Sequence, residues 1–286
     1  MAQLTDTHCH LLPEELRPRG ARSWDDLWFS NCMEGERARF ASGGDVLAAL
    51  DAAGLDRAVC FGWPFQDQGL LREVNDYVSL QVRQGGGRLL GLAVVNPGRP
   101  GWEAELERCA GLGLVGVGEL NADAQGFELE LRGGFPSLLR AVAARGWPVL
   151  LHSSEPVGHD YAGKGGATPE RLWPLLLSAL EECPELRLCL AHLGGGLPLY
   201  AHMPEVRRLC QRLWFDTAAL PFLYDEAVLP GLQALLGPGR FCLGSDFPLL
   251  APSRYRGLLA PAPAGLGEAL AEAGARSWLG EAASAG

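Results

Sequence analysis

Eight short runs rich in Val and Leu recur along the chain, at residues 4–10, 57–64, 89–95, 114–120, 148–153, 186–193, 213–218 and 241–246. Helical spacing separates them: in 68–85 the apolar residues Leu70, Leu71, Val74, Tyr77 and Val78 return at threes and fours, as on one buried helix face. A helix expected over 42–54 ends on Gly54, the residue type that most readily takes the left-handed turn closing a helix. Others are expected at 102–111, 135–145, 168–183, 204–212 and 226–236, with a helical tail to about residue 279. Strands with little polar alternation are buried on both faces, as in a parallel sheet covered by helices. The 286 residues suit a barrel of eight strand–helix units, which takes roughly 250. An open doubly wound sheet usually has a glycine-rich phosphate turn after its first strand, where this chain has His10-Leu11-Leu12-Pro13. The expectation is an α/β protein, a (β/α)8 TIM barrel, with one domain over residues 1–286.

Two stretches depart from the repeat. Residues 11 to about 42 hold Pro13, Pro18, Trp24, Trp28 and Cys32, too broken for a core element and too aromatic for a linker. They read as an inserted loop packed over one end of the barrel. In the tail, Pro263, after the Ala-Pro run from Ala260, is expected to split the helix in two. The eight cysteines are scattered without CxxC spacing, which suggests reduced, buried thiols in a cytoplasmic protein. A net charge of −10 with Lys164 as the only lysine argues against nucleic acid or an anionic membrane as partner. No run approaches the roughly 20 apolar residues of a membrane span, and no secretory signal is evident. A small-molecule substrate is expected; homodimer formation is left open.

A barrel of this kind carries its chemistry at the C-terminal ends of its strands. His8 and His10 end the first run, Glu119 the fourth, His152 the fifth, His192 the sixth and Asp246 the eighth, so four of the six histidines fall at such ends. In the first run Asp6, His8 and His10 alternate with Thr7 and Cys9, so the three share one face of a strand. Two imidazoles one strand repeat apart suit a borderline ion such as zinc, whose ligands are His, Cys and carboxylate. A lone His152 or His192 would read as a satisfied core histidine, and Asp246 as a turn cap. Together with the first-strand pair they read as a metal site of His8, His10, Glu119, His152, His192 and Asp246.

Asp6-Thr7-His8-Cys9-His10, His152, His192 with Gly194-Gly195-Gly196, Gly244-Ser245-Asp246-Phe247-Pro248 and Trp278-Leu279-Gly280-Glu281 together resemble the amidohydrolase superfamily. The likeness is greatest to its amidohydrolase-2 branch, which includes aminocarboxymuconate-semialdehyde decarboxylase-like proteins. Glu119 in Val117-Gly118-Glu119 is similar to a motif of TatD-like hydrolases. The resemblance implies a TIM barrel with a catalytic metal, usually zinc, with manganese or another divalent ion as alternatives. One ion would take His8, His10, His152 and Asp246; two would place Glu119 between them as a bridge. It implies hydrolysis of an ester, lactone or amide by a water whose pKa the metal lowers from 15.7 to about 7. Asp246 would be general base and proton shuttle, and His192 or the metal would polarise the scissile bond. Asp6 is expected to orient the first-strand histidines, and Asp216 either to do the same or to hold a turn.

The loop after the fifth run, Ser153 to Gly166, nearly spells a P-loop, but Gly165 stands where Ser or Thr must hold magnesium. It reads instead as a lid, with His159, Tyr161 and Lys164 as substrate-binding candidates beside Trp63, or as a polar surface loop. Nonoxidative decarboxylation of a small unsaturated or aromatic acid is the alternative reaction. An arginine gripping the substrate carboxylate would mark it, and no strand end offers an obvious one. A TatD-type nuclease fits poorly with the charge, and a member without metal fits poorly with the full ligand set.

Overall fold

The computed structural model describes residues 3–34, 40–259, 267 and 269–280. Among the described residues there are eight parallel strands: β1 Thr5–His10, β2 Arg57–Phe61, β3 Leu89–Gly91, β4 Val117–Leu120, β5 Pro148–Leu151, β6 Arg187–Leu190, β7 Trp214–Asp216 and β8 Phe241–Cys242. They pair in sequence order as β1-β2-β3 and β4-β5-β6-β7-β8. Parallel bridges Ala93↔Val117 and Cys9↔Phe247 join the two runs at both seams, and Thr7 N donates to Leu243 O at 2.7 Å. The barrel is closed, and its closure sets the end of β1 beside the segment that follows β8.

Helices cover it where the spacing places them, including Gly43–Ala53, Gln68–Gln84, Trp102–Gly111 and Pro169–Glu182. Ser42 and Asp45 form a reciprocal capping box at the start of Gly43–Ala53, and Gly54 ends it at φ 72°. This satisfies orphan amides at one end and takes a left-handed turn that costs glycine little at the other. In Gln68–Gln84 the residues Leu70, Leu71, Val74 and Val78 are buried against the barrel.

The strands are shorter at their C-terminal ends than the apolar runs suggest, because the chain leaves the sheet there. After β6, His192 and Leu193 both take φ 55°, and after β8 Asp246 takes φ 65°. Left-handed backbone costs a non-glycine residue about 1–3 kcal/mol and tends to cluster at functional sites. Gly195 is required at its position, since a Cβ there would lie 2.3 Å from the Ser154 carbonyl oxygen.

The expected loop at 11–42 is not wholly irregular. It holds a helix, Leu27–Met33, which Asp26 caps by accepting from Phe29 N, and Phe29 is fully buried. Seven residues are too few to display an apolar stripe, so the element depends on its cap and on one aromatic anchor. The break expected at Pro263 lies outside the described residues, as does Glu281. Farther along, Ala275–Leu279 is helical and its Trp278 and Leu279 are fully buried. They pack in one cluster with Val59, Leu90, Leu150, Cys189, Trp214 and Cys242. Trp278 Nε1 donates to Arg187 O at 3.2 Å, at the start of β6, so the tail plugs the end of the barrel opposite the strand termini. Trp278→Ala is expected to lower unfolding free energy by about 3–5 kcal/mol, read from the urea midpoint; a loss below about 1 kcal/mol would contradict this role for the tail.

Candidate metal centre

The period of a strand turns His8 and His10 inward, while Cys9 between them joins the layer between barrel and helices. Glu119 on β4, His152 after β5, His192 after β6 and Asp246 after β8 converge on the same pair, and all six side chains are buried. Glu119 sits in the middle. Its Oε2 lies 3.8 Å from His8 Nε2 and 3.6 Å from His10 Nε2. Its Oε1 lies 3.0 Å from His152 Nδ1 and 3.5 Å from His192 Nε2. One carboxylate thus faces two histidine pairs, each oxygen to its own pair. Asp246 Oδ1 stands 3.7 Å from His8 Nε2 and 3.5 Å from His10 Nε2.

The backbone around these groups is itself held. His8 Nδ1 and Asp216 Oδ2 are 2.8 Å apart, a contact that fixes the ring and leaves Nε2 facing the cluster. Asp216 Oδ1 also accepts from His192 N at 2.9 Å and Ala218 N at 3.0 Å. Asp216 therefore positions ligand candidates from two strands. Asp6 acts on the first strand through backbone amides rather than through the imidazole rings. Its Oδ1 accepts from His8 N at 3.1 Å and Ser245 N at 2.9 Å, so it aligns the backbone of β1 with that after β8. Burial raises its pKa to about 6, against these hydrogen bonds.

The cluster stabilises positive charge. Burial alone disfavours the imidazolium of His8, but Asp216, Glu119 and Asp246 outweigh it and raise its pKa to about 9. At His192 burial is again overcome, chiefly by Glu119 with Asp246 and Asp216, and the pKa rises to about 10. Burial would raise the Glu119 carboxyl, yet His8, His152 and His192 hold it well below the usual range. At His10 burial prevails and lowers the pKa. A cation can take the place of these protons. The fit to a divalent metal is good, because His8 Nε2 is buried with no hydrogen-bond partner and the donors are imidazole and carboxylate. Two groups offer ligand atoms all within 4.8 Å of one another: His8, His10 and Glu119, and Glu119, His152 and His192. Ligands about 2.0–2.2 Å from one zinc ion stand about 3–4 Å apart, which is the spacing seen here.

Above the cluster opens a cavity of about 640 Å³. Trp63, His159 and Tyr161, candidates from the sequence, line it; Lys164 does not. The Lys164 ammonium donates to His159 O at 3.1 Å and lies 3.6 Å from Asp160. Trp28, Asn31 and Phe222 also line the cavity, and sequence alone does not single them out, since a side chain in an insert or loop carries no local sign of what it faces. Glu155 was equally silent: it accepts from Tyr161 OH at 2.8 Å and Tyr224 OH at 3.1 Å.

An amidohydrolase family model, Amidohydro_2, matches residues 5–285. The 2-amino-3-carboxymuconate-6-semialdehyde decarboxylase of Dictyostelium discoideum is 24% identical over 222 residues, 66% of this chain. The match spans 60% of that relative's length. The structure of 5-carboxyvanillate decarboxylase from Sphingomonas paucimobilis superposes with a TM-score of 0.76 at 18% identity, covering 98% of this chain and 99% of that one. A 5-carboxyvanillate decarboxylase from Novosphingobium aromaticivorans, in complex with manganese, gives a TM-score of 0.72 at 18% identity, over 97% and 96% of the two chains. Likeness at these identities establishes the barrel fold. With the family model spanning nearly the whole chain, the protein belongs to the amidohydrolase family and is an enzyme of that superfamily.

Proposed function

We propose that this enzyme is a metal-dependent nonoxidative decarboxylase of a small aromatic or unsaturated acid, rather than the hydrolase that its motifs suggest first. The observation that carries this reading is the cavity wall, where Trp28, Trp63, Phe222, Leu12 and Leu249 stand over the buried cluster of imidazoles and carboxylates. The decarboxylase names of the relatives reported above lend it support. An apolar wall strips water from a carboxylate and favours its conversion to uncharged CO2. In that step the bond from the carboxylate carbon breaks, its electron pair stays on the ring or alkene carbon, and a proton is added there. Asp246 borders the cavity, and its N–H is tied to His8 O at 3.0 Å; it is the proposed proton donor. His192, with Nδ1 3.1 Å from Ala218 O, is the proposed partner that orients the reacting group.

His8, His10, Asp246 and Glu119 would hold a divalent ion, zinc or manganese, with Glu119, His152 and His192 available to a second. When bound, such an ion supplies Lewis-acid polarisation of substrate oxygens. Hydrolysis of an ester, lactone or amide is the second reading, favoured by the way Glu119 faces both histidine pairs, an arrangement suited to two ions. His159, Tyr161 and Trp63 are the proposed substrate contacts.

Incubation of the metal-loaded enzyme with ortho-hydroxybenzoic acids is expected to release CO2, measured in the headspace; turnover of lactones or esters without CO2 from any acid would favour the second reading. Asp246→Asn should lower kcat by about 10²–10⁴-fold with an unchanged circular dichroism spectrum, and retained turnover would remove Asp246 from the chemistry. Asp216→Asn should weaken metal affinity about 10–100-fold in competition with a chromophoric chelator. Unchanged affinity would reduce the Asp216–His8 contact to a structural one.

A further inference from the structure

The cavity is larger and more firmly built than a single-ring acid requires. Three of the segments that wall it, the insert, the loop after β5 and the segment after β7, are braced together. Cys32, on the helix Leu27–Met33, donates its thiol to Ala162 O at 3.4 Å, joining the insert to the loop after β5. Trp28 of the same helix packs beside Gly165 of that loop, where a Cβ would sit 3.5 Å from the indole edge. Glu155 then ties the loop after β5 to the segment after β7, accepting one hydroxyl proton from Tyr161 and one from Tyr224. The resulting volume of about 640 Å³ lies mid-range for pockets that enclose drug-sized ligands.

The part of the wall that the metal candidates do not supply is mostly apolar. Trp28 and Leu12 come from the insert, Phe222 and Leu223 from the segment after β7, and Leu249 from that after β8. Among the described residues that line the cavity none is Arg or Lys, and the Lys164 ammonium is engaged by His159 O and Asp160. A ring seated only over the metal cluster would leave this wall against water. A second carboxylate reaching it would lose hydration and meet no Arg or Lys among these residues, whereas a second apolar ring would gain by burial there.

Resting on the decarboxylase reading, we propose that the substrate is an aromatic monocarboxylate with an extended apolar body of about two fused rings, its outer ring held by Trp28 and its single carboxylate lying at the metal cluster. Trp28 is thus a specificity-determining residue contributed by the insert.

Three probes with the same hydroxy-carboxylate head separate body from head: 1-hydroxy-2-naphthoate, salicylate and 4-hydroxyisophthalate, each titrated calorimetrically into the zinc- or manganese-loaded enzyme. The naphthoate is expected to bind at least ten-fold more tightly than salicylate, and the isophthalate no more tightly than salicylate. Equal binding of naphthoate and salicylate, tightest binding of the isophthalate, or binding of none would overturn the proposal. Trp28→Ala should cut the naphthoate advantage to below three-fold while leaving salicylate within three-fold, and Trp28→Phe should restore most of it. Equal weakening of both ligands in Trp28→Ala would overturn the role of Trp28. CO2 release from the same acids is read separately: a preserved naphthoate preference without CO2 would remove the decarboxylase reading and leave the pocket assignment standing.

Discussion

Everything at the mouth of this barrel turns on Glu119, a buried carboxylate that faces His8 and His10 with one oxygen and His152 and His192 with the other. Asp246 and Asp216 add two more acidic groups to the same enclosed volume. Carboxylates gathered away from water are costly unless positive charge joins them. Protonated imidazoles meet part of that need, which is why the pKa values of His8 and His192 stand high. A divalent cation meets it better, and the orphaned Nε2 of His8 marks where one would bind.

The fold supplies this arrangement by closure. Parallel pairing in sequence order sets all strand ends at one rim, and the Cys9↔Phe247 bridge sets the first strand beside the segment after the last. Asp6 and Asp216 do the finer alignment, one through backbone amides of two strands and the other through the His8 ring and the amide of His192. Left-handed backbone at His192 and Asp246 is the strain accepted in aiming those side chains inward. At the opposite rim Trp278 fills the barrel floor, so the machinery at the top stands on a packed base.

Much of this was legible beforehand because strand ends leave a strong trace. A histidine or carboxylate that closes a run of Val and Leu has few reasons to be there, and eight such runs fix a barrel. Asp6 is legible as an orienting group, and because a residue two positions before a ligand shares its strand, it acts through amides rather than rings. Lys164 is a substrate-binding candidate by type alone, and its ammonium is engaged within its own loop. The helix Leu27–Met33 and the Glu155 bracing are not legible, because seven residues show no apolar stripe and because the contacts that hold these segments together, Cys32 with Ala162 and Glu155 with Tyr224, join parts of the chain that lie far apart in sequence. Hydrolysis is the first expectation because the motifs are shared across a superfamily; the decarboxylase reading proposed above rests on the cavity wall, which strand-end motifs do not report.

Metal content per chain, measured by mass spectrometry on protein purified without chelator, tests the account most directly. At least one equivalent of zinc or manganese is predicted, lost when His8 and His10 are both replaced by Ala. A protein that retains no metal even after exposure to both ions would contradict the reading of Glu119 and its histidines as a cation site.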